Sequence, residues 1–381
     1  MDPNTIPFID LQAQRQRLGA ELEQKILEVV REGCYINGPQ VAELEQQLAQ
    51  FSGARHAIGC ASGTDGLLMP LWAWNVGPGD AVFVPAFTFV ATAEVVAMLG
   101  ATPVFVDVDP DTFNMDINSL NEAIDWVKTK SDLKAKVIIA VDLFGLPADL
   151  KNIESLAKQN GMKLLVDCAQ GFGSKQDGKV AVSYGDAGST SFFPAKPLGC
   201  YGDGGAIFTN DSELDKVLKS IRGHGQGSHR YEHVRLGMNG RLDTIQAAIL
   251  LEKLKIYPDE IQRRQEIAQR YTEGLQEYVK TPLVPTDYES VWAQYTLQTS
   301  DRDALAQALK DHNIPTMVYY PIPLSHQPAY KQYPSAPKGV PVSERLSQHV
   351  LSLPMHPYLD GEKQSFIIDK IQAFFKNKSG F

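Results

Sequence analysis

Apolar residues recur at helical spacing at Leu18, Leu22, Ile26 and Val29–Val30, which predicts an amphipathic helix near the start of the chain. Gly33, Gly38 and Pro39 then mark a loop, and a helix is expected near Val41–Phe51. From there short apolar runs alternate with helical stretches. Ala81–Pro85, Pro103–Val106, Val137–Val141 and Lys163–Asp167 read as strands, and Leu67–Trp74, Thr88–Leu99, Ser119–Val127 and Leu150–Gln159 as helices. The strand runs are short and apolar on both faces, as in a parallel sheet covered by helices. The alternation is an α/β pattern.

Beyond Asp211 the pattern turns more helical. Leu242–Leu254 is apolar with helical period, Pro258 is expected to interrupt it, and Glu260–Tyr278 is long and charged. The expected division is a large domain over residues 1–257, including the N-terminal helical arm, and a small C-terminal domain over 258–381. The small domain reads as α+β, with strands near Val291–Gln298 and Thr316–Tyr319 and helices near Asp303–Leu309 and Glu344–Leu351. The run from Pro321 to Pro337 reads as an ordered loop, and no internal repeat is visible.

Composition narrows the class. The chain has 381 residues, 43% hydrophobic and 21% charged, which suits a globular protein with a sizeable core. A formal net charge of −9 argues against a general nucleic-acid binder. Cys34, Cys60, Cys168 and Cys200 form neither a CxxC pair nor a zinc spacing, and His229 and His233 lack a second ligand pair, so no metal site is expected. No signal peptide is visible, and no run of about 18 apolar residues exists to span a membrane. The expected setting is reducing and cytoplasmic.

One stretch stands out chemically. Lys196 lies between Pro194 and Pro197 and is followed by Gly199, Gly202, Gly204 and Gly205. Upstream, Asp167 ends the apolar strand Lys163–Asp167. A lysine in a constrained turn and a carboxylate at a strand end suit pyridoxal phosphate. The amine can hold the cofactor aldehyde as a Schiff base, and the carboxylate can keep the pyridine nitrogen protonated. Gly63 and Thr64, at the start of the helical Leu67–Trp74 stretch, offer backbone N–H groups to a phosphate, although Ser62 reads equally well as a plain N-cap. Ser191 could add a hydroxyl. Phe87, where a strand passes into a helix, could stack on a flat ring, and Gln170 could bond a ring hydroxyl. Neither a G-x-G-x-x-G nor a P-loop motif is present to support a dinucleotide or nucleoside triphosphate site.

Together these residues resemble the DegT/DnrJ/StrS-type sugar aminotransferases, pyridoxal phosphate enzymes of fold type I related to aspartate aminotransferase. The resemblance runs from Ile6–Leu11 through Tyr35-Ile36-Asn37-Gly38-Pro39, Ala61-Ser62-Gly63-Thr64, Pro85–Phe89, Asp167–Gln170 and the Lys196 segment. It continues to Gly237–Leu242 and Tyr320–Leu324. It implies an aspartate-aminotransferase-like fold with a mostly parallel sheet between helices. It also implies roles: Lys196 as the Schiff-base lysine, Asp167 on the pyridine nitrogen, Gln170 on the ring hydroxyl and Phe87 on the ring face. Gly63, Thr64 and Ser191 would hold the phosphate, with Asn239 of a neighbouring subunit completing it in a homodimer. Asp203 and Gly240 depart from the family's usual Glu and aromatic at those places.

The Lys196 segment is closest to the WbpE-like subgroup. Its members aminate C3 of a UDP-linked 3-keto-N-acetylglucosaminuronic acid from L-glutamate, for surface polysaccharide such as the O-antigen of lipopolysaccharide. Gly225–Tyr231, with His229 and Arg230, and Tyr319 and Tyr320 match that subgroup's substrate-contacting segments, and the family resemblance implies substrate contacts for Tyr35 and Asn37 as well. Arg230 could clamp a carboxylate or diphosphate. The resemblance implies cycling between pyridoxal and pyridoxamine phosphate. Two alternatives remain open here: an aminotransferase for a UDP- or dTDP-linked 4-keto or 3-keto deoxy sugar, and a non-catalytic pyridoxal-phosphate-binding regulator.

Overall fold

The computed structural model describes residues 6–229 and 231–378. Among the described residues eleven helices are longer than one turn: α1 (Leu11–Glu32), α2 (Pro39–Ser52), α3 (Gly63–Ala73), α4 (Ala91–Met98), α5 (Ile117–Lys130), α6 (Leu150–Gln159), α7 (Ser212–Arg222), α8 (Thr244–Leu275), α9 (Arg302–Asp311), α10 (Pro341–His349) and α11 (Gly361–Lys378). The central sheet has seven strands: β1 (His56–Cys60), β2 (Asp80–Pro85), β3 (Thr102–Val106), β4 (Lys134–Val141), β5 (Lys163–Asp167), β6 (Ala187–Ser191) and β7 (Gly205–Thr209). Their spatial order is β1-β7-β6-β5-β4-β2-β3, and only β7 is antiparallel to its neighbours.

The unbroken apolar runs follow from burial on both faces. Val82, Val84, Val137, Ile139 and Leu165 point into one core with residues of α3, α4 and α7. Their chain neighbours Phe83, Ile138, Ala140, Leu164 and Val166 point into another, with residues of α2, α5, α6 and the first half of α8. Full burial of each large apolar side chain stabilises by about 1.5–3 kcal/mol, which favours apolar residues along β2, β4 and β5. The parallel strands end together, so β5 and β6 deliver Asp167 and Ser191 to one edge of the sheet.

Four local expectations change. α8 runs unbroken through Pro258. Its Ala247, Leu250, Leu251, Leu254 and Tyr257 belong to the sheet core, and its buried residues from Ile267 to Leu275 belong to a third core with Leu297, Leu305, Leu351 and Ile367. Burial on either side outweighs the backbone hydrogen bond that the proline removes. The proposed division at residues 257 and 258 thus falls inside one helix. Thr316–Tyr319 makes a single bridge, Met317 to Ser352, rather than a strand. α10 stops at His349, and Val350 and Leu351 instead enter β9 (Val350–Leu353), which pairs antiparallel with β8 (Tyr295–Gln298). α4 begins at Ala91, leaving Thr88–Val90 in the preceding turn. Among the described residues no helix is long and apolar enough to cross a membrane.

His356 is buried beside the third core, where the Pro7 backbone and the Asp10 charge only partly offset its desolvation. Burial, with the Arg264 charge acting in the same direction, pushes its pKa from the ordinary 6.5 down to about 4. The unfolded chain therefore takes up a proton near pH 6.5 that the folded chain refuses until about pH 4. Stability should fall across that window by about 3 kcal/mol from this residue alone. Urea unfolding of a His356→Met variant should show a markedly smaller loss between pH 6.5 and 4.5 than the parent. Equal losses would mean that His356 does not drive the acid sensitivity.

Candidate active site

Asp167, which is buried, and Lys196, which is half-buried, lie near enough for each charge to act on the other. Asp167 is 6% exposed. One carboxylate oxygen accepts the Ala169 N–H at 3.1 Å and the other the Thr92 hydroxyl at 3.0 Å. Burial raises its pKa, against the pull of those two bonds and of the Lys196 charge. Burial lowers the pKa of the Lys196 amine, with Asp167 opposing. A lowered amine pKa leaves more of the neutral, nucleophilic form at neutral pH. Locally, the Lys196 N–H donates to Phe193 O at 2.9 Å and the Cys200 N–H to Phe192 O at 2.8 Å, so the loop between β6 and β7 folds back on itself around the lysine.

Gln170 and Phe87 form the neighbouring wall. The Gln170 side-chain oxygen accepts the Phe144 N–H at 2.8 Å, and its Nε2 donates to the Tyr320 hydroxyl at 3.1 Å. Phe87 is buried, with Phe144 and Tyr320 edge-on at ring-centroid distances of 6.5 and 6.2 Å. Burial raises the Tyr320 pKa, so its phenol stays protonated and can both accept and donate.

The phosphate candidates converge as well. Ser62 caps α3, its hydroxyl accepting the Asp65 N–H at 3.0 Å. The N-cap and phosphate-cup readings are therefore compatible, since the cap leaves the Gly63 and Thr64 amides at a positive helix end. A Cβ on Gly63 would lie 2.6 Å from the Ser191 Cβ, so only glycine lets α3 close onto β6. Gly66 meets the Ser189 hydroxyl in the same way, at 2.3 Å.

The other expected residues lie elsewhere in the chain. Tyr35 and Asn37 are exposed on a segment pinned to the start of α8 through Thr244 N–H to Tyr35 O and Gly38 N–H to the Thr244 hydroxyl. Asn239 is exposed and lines a cavity of about 370 Å³ with Ile36, Ala61, Gly202, Asp203 and Arg241. His229 sits on an exposed hairpin closed by Gly227 N–H to Glu232 O. Arg230 lies outside the described residues. Tyr319 is half-buried, edge-on to Phe8 at 6.4 Å and adjacent to Tyr320. Thr92 and Phe144 went unrecognised in the sequence. Thr92 looks like any first-turn helix residue, and Phe144 contributes a backbone N–H, which carries no residue-type signal.

These residues fit pyridoxal phosphate. A buried carboxylate near a half-buried lysine, a glycine-lined helix N-terminus beside a serine hydroxyl, and an aromatic wall match a protonated ring, an aldehyde, a phosphate and a flat face. The chain matches the profile of the DegT/DnrJ/EryC1/StrS aminotransferase family over residues 16–372. It is 47% identical to UDP-2-acetamido-2-deoxy-3-oxo-D-glucuronate aminotransferase of Pseudomonas aeruginosa, over 93% of this chain and 96% of that protein. It is 42% identical to UDP-N-acetyl-3-dehydro-alpha-D-glucosamine 3-aminotransferase of Acidithiobacillus ferrooxidans, over 95% and 96%. A crystal structure of a DegT DnrJ EryC1 StrS aminotransferase from Brucella abortus superposes with a TM-score of 0.96 at 52% identity, covering 97% of this chain and 99% of that one. Fold and sequence agree, and the chain belongs to the DegT/DnrJ/EryC1/StrS family of pyridoxal-phosphate-dependent aminotransferases.

Proposed function

We propose that this enzyme moves an amino group from L-glutamate to a nucleotide-linked keto sugar, namely UDP-2-acetamido-2-deoxy-3-keto-glucuronic acid. The observation that carries the chemistry is the half-buried Lys196, its amine pKa lowered by desolvation, near the buried Asp167 carboxylate. The sugar reading is supported by the likeness to the Pseudomonas aeruginosa enzyme. Bound pyridoxal phosphate supplies an aldehyde that condenses with amines and a ring that draws electrons from the bond being broken. Lys196 would hold that aldehyde, and its amine, when free, would carry a proton to and from the reacting carbon. Asp167 would keep the pyridine nitrogen protonated, Gln170 would donate to the ring hydroxyl, and Phe87 would lie against the ring. Gly63, Thr64 and Ser191 would hold the phosphate. His229 and Arg230 are assigned to the sugar's anionic groups, with Tyr35, Asn37, Tyr319 and Tyr320 around the sugar. The product would feed surface-polysaccharide synthesis in the cytoplasm, a setting that the four unpaired cysteines support.

A panel of UDP- and dTDP-linked 3-keto and 4-keto sugars, each with glutamate, tests this reading. The 3-keto uronate should give the highest kcat/KM. Faster turnover of an uncharged 4-keto sugar would overturn the substrate assignment and leave the aminotransferase standing.

The active site is proposed to be shared within a homodimer. Asn239 is exposed, and Ile36, Val234 and Leu236 expose apolar surface, as expected of segments that a second copy covers. Inactive Lys196→Ala and Asn239→Ala chains should regain activity when mixed, because one of the two sites in a mixed dimer has both residues intact. Confirmed subunit exchange without any recovery would place Asn239 outside the partner's site.

A further inference from the structure

We propose, resting on the reading that Asp167 and Gln170 face the cofactor ring, that Asp142 is a positioning residue for that wall. Its carboxylate ties the loop that presents Phe144 to the turn that presents Asp167 and Gln170.

Asp142 follows β4 and is fully buried. Its N–H donates to Asp167 O at 3.0 Å. One carboxylate oxygen accepts the Ala148 N–H at 3.0 Å, which closes the 143–148 loop on itself. The other accepts the Cys168 thiol at 2.9 Å, directly beside Asp167. Gly171 packs against it, since a Cβ there would lie 2.4 Å from the Asp142 Cβ. The side chain therefore has no room to swing away. The closed loop holds Phe144 at a φ of 59°, from where its N–H reaches the Gln170 oxygen. That bond settles which way the amide faces, turning Nε2 toward Tyr320. One carboxylate thus links the two groups meant to bond the ring. Asn114 braces the same loop, through Leu146 O, Pro147 O and the Leu143 N–H, but it is neutral.

Above about pH 7, Asp142 also places negative charge behind Asp167. Burial raises its pKa to about 7, with the thiol and the Ala148 N–H pulling it down and Asp167 pushing it up. Burial and the Asp142 charge hold the Cys168 thiol protonated, so it remains a donor. The ionisable groups acting on Asp142 are Cys168 and Asp167, and through Asp167 also Lys196.

Asp142→Asn keeps the shape and an acceptor for Ala148 but removes the charge; Asp142→Ala removes both. Full-length holoenzyme of each would be stripped of cofactor and retitrated with pyridoxal phosphate. The pH titration of the cofactor's visible absorbance would then be recorded. Asp142→Ala should bind pyridoxal phosphate about tenfold or more weakly, and Asp142→Asn should restore affinity to within about threefold. In Asp142→Asn the absorbance midpoint should fall by about half a unit or more, because a nearby negative charge no longer favours the protonated form. Wild-type affinity in both variants, or an unchanged midpoint in Asp142→Asn, overturns the proposal. If Asp142→Ala does not fold, the Asp142→Asn midpoint decides by itself. A parent enzyme lacking any lysine-linked visible band would instead overturn the underlying site assignment.

Discussion

Lys196→Ala is expected to lose turnover by on the order of 10⁴-fold, the upper end of what a positioned proton-transfer group contributes. The same substitution also removes the covalent anchor, so pyridoxal phosphate should dissociate on dialysis. The fold should survive. Burial depresses the amine's pKa, which means that the folded chain carries the Lys196 charge at a cost, and alanine relieves it. Thermal unfolding of the variant should match or slightly exceed that of the cofactor-free parent. Borohydride reduction of the parent followed by peptide mapping should place the cofactor on Lys196. The informative competitor is Lys253, a fully buried amine whose pKa burial lowers to about 8. Its Nζ, however, donates to Gly199 O at 2.6 Å and lies 4.3 Å from the Tyr201 ring centroid. It braces the loop that carries Lys196 and is already occupied. A label on Lys253 or any other lysine would sink the assignment.

Asp167→Asn should lower kcat far more than cofactor affinity. A neutral amide cannot hold the pyridine nitrogen protonated, and a charge-assisted hydrogen bond is worth about 1.5–3 kcal/mol, or roughly 10- to 150-fold in rate. Geometry should persist, because asparagine can still accept the Ala169 N–H and its amide can donate to the Thr92 hydroxyl, which can turn to accept. Stability supplies an independent check with a definite sign. The folded pKa of Asp167 lies above its ordinary value, so the unfolded chain releases this proton first as pH rises. The parent therefore loses stability from this group as pH climbs from about 4 through the folded pKa. Cofactor-free Asp167→Asn should lack that loss and be at least as stable as the parent at neutral pH. Wild-type turnover in the variant would make Asp167 a structural cap.

The local content of the chain was legible wherever one short stretch carried the whole cause. β5 and α6 were predicted at their observed ends, because an apolar run closing on Asp167 and the helical period of Leu150–Gln159 are set by residues a few positions apart. Lys196, Asp167, Gln170, Phe87 and the Gly63–Thr64 helix start were readable for a related reason: each has a residue type suited to its chemistry and sits at a strand end, helix start or proline-bracketed turn. Other features depended on residues far apart in sequence. Pro258 says break, yet α8 continues, because Tyr257 and Ile267 bury into two cores assembled from the rest of the chain. Thr92 holds Asp167 across 75 positions, and the Phe144 N–H holds Gln170 across 26. Asp142 acquires its role only when β4 and β5 lie side by side and Gly171 closes over it. Sequence by itself determined which groups could do the chemistry, since that rests on residue type and local backbone. Tertiary structure decided which of them meet, how deeply they are buried and therefore how acidic or basic they are, because desolvation and hydrogen bonding act through space.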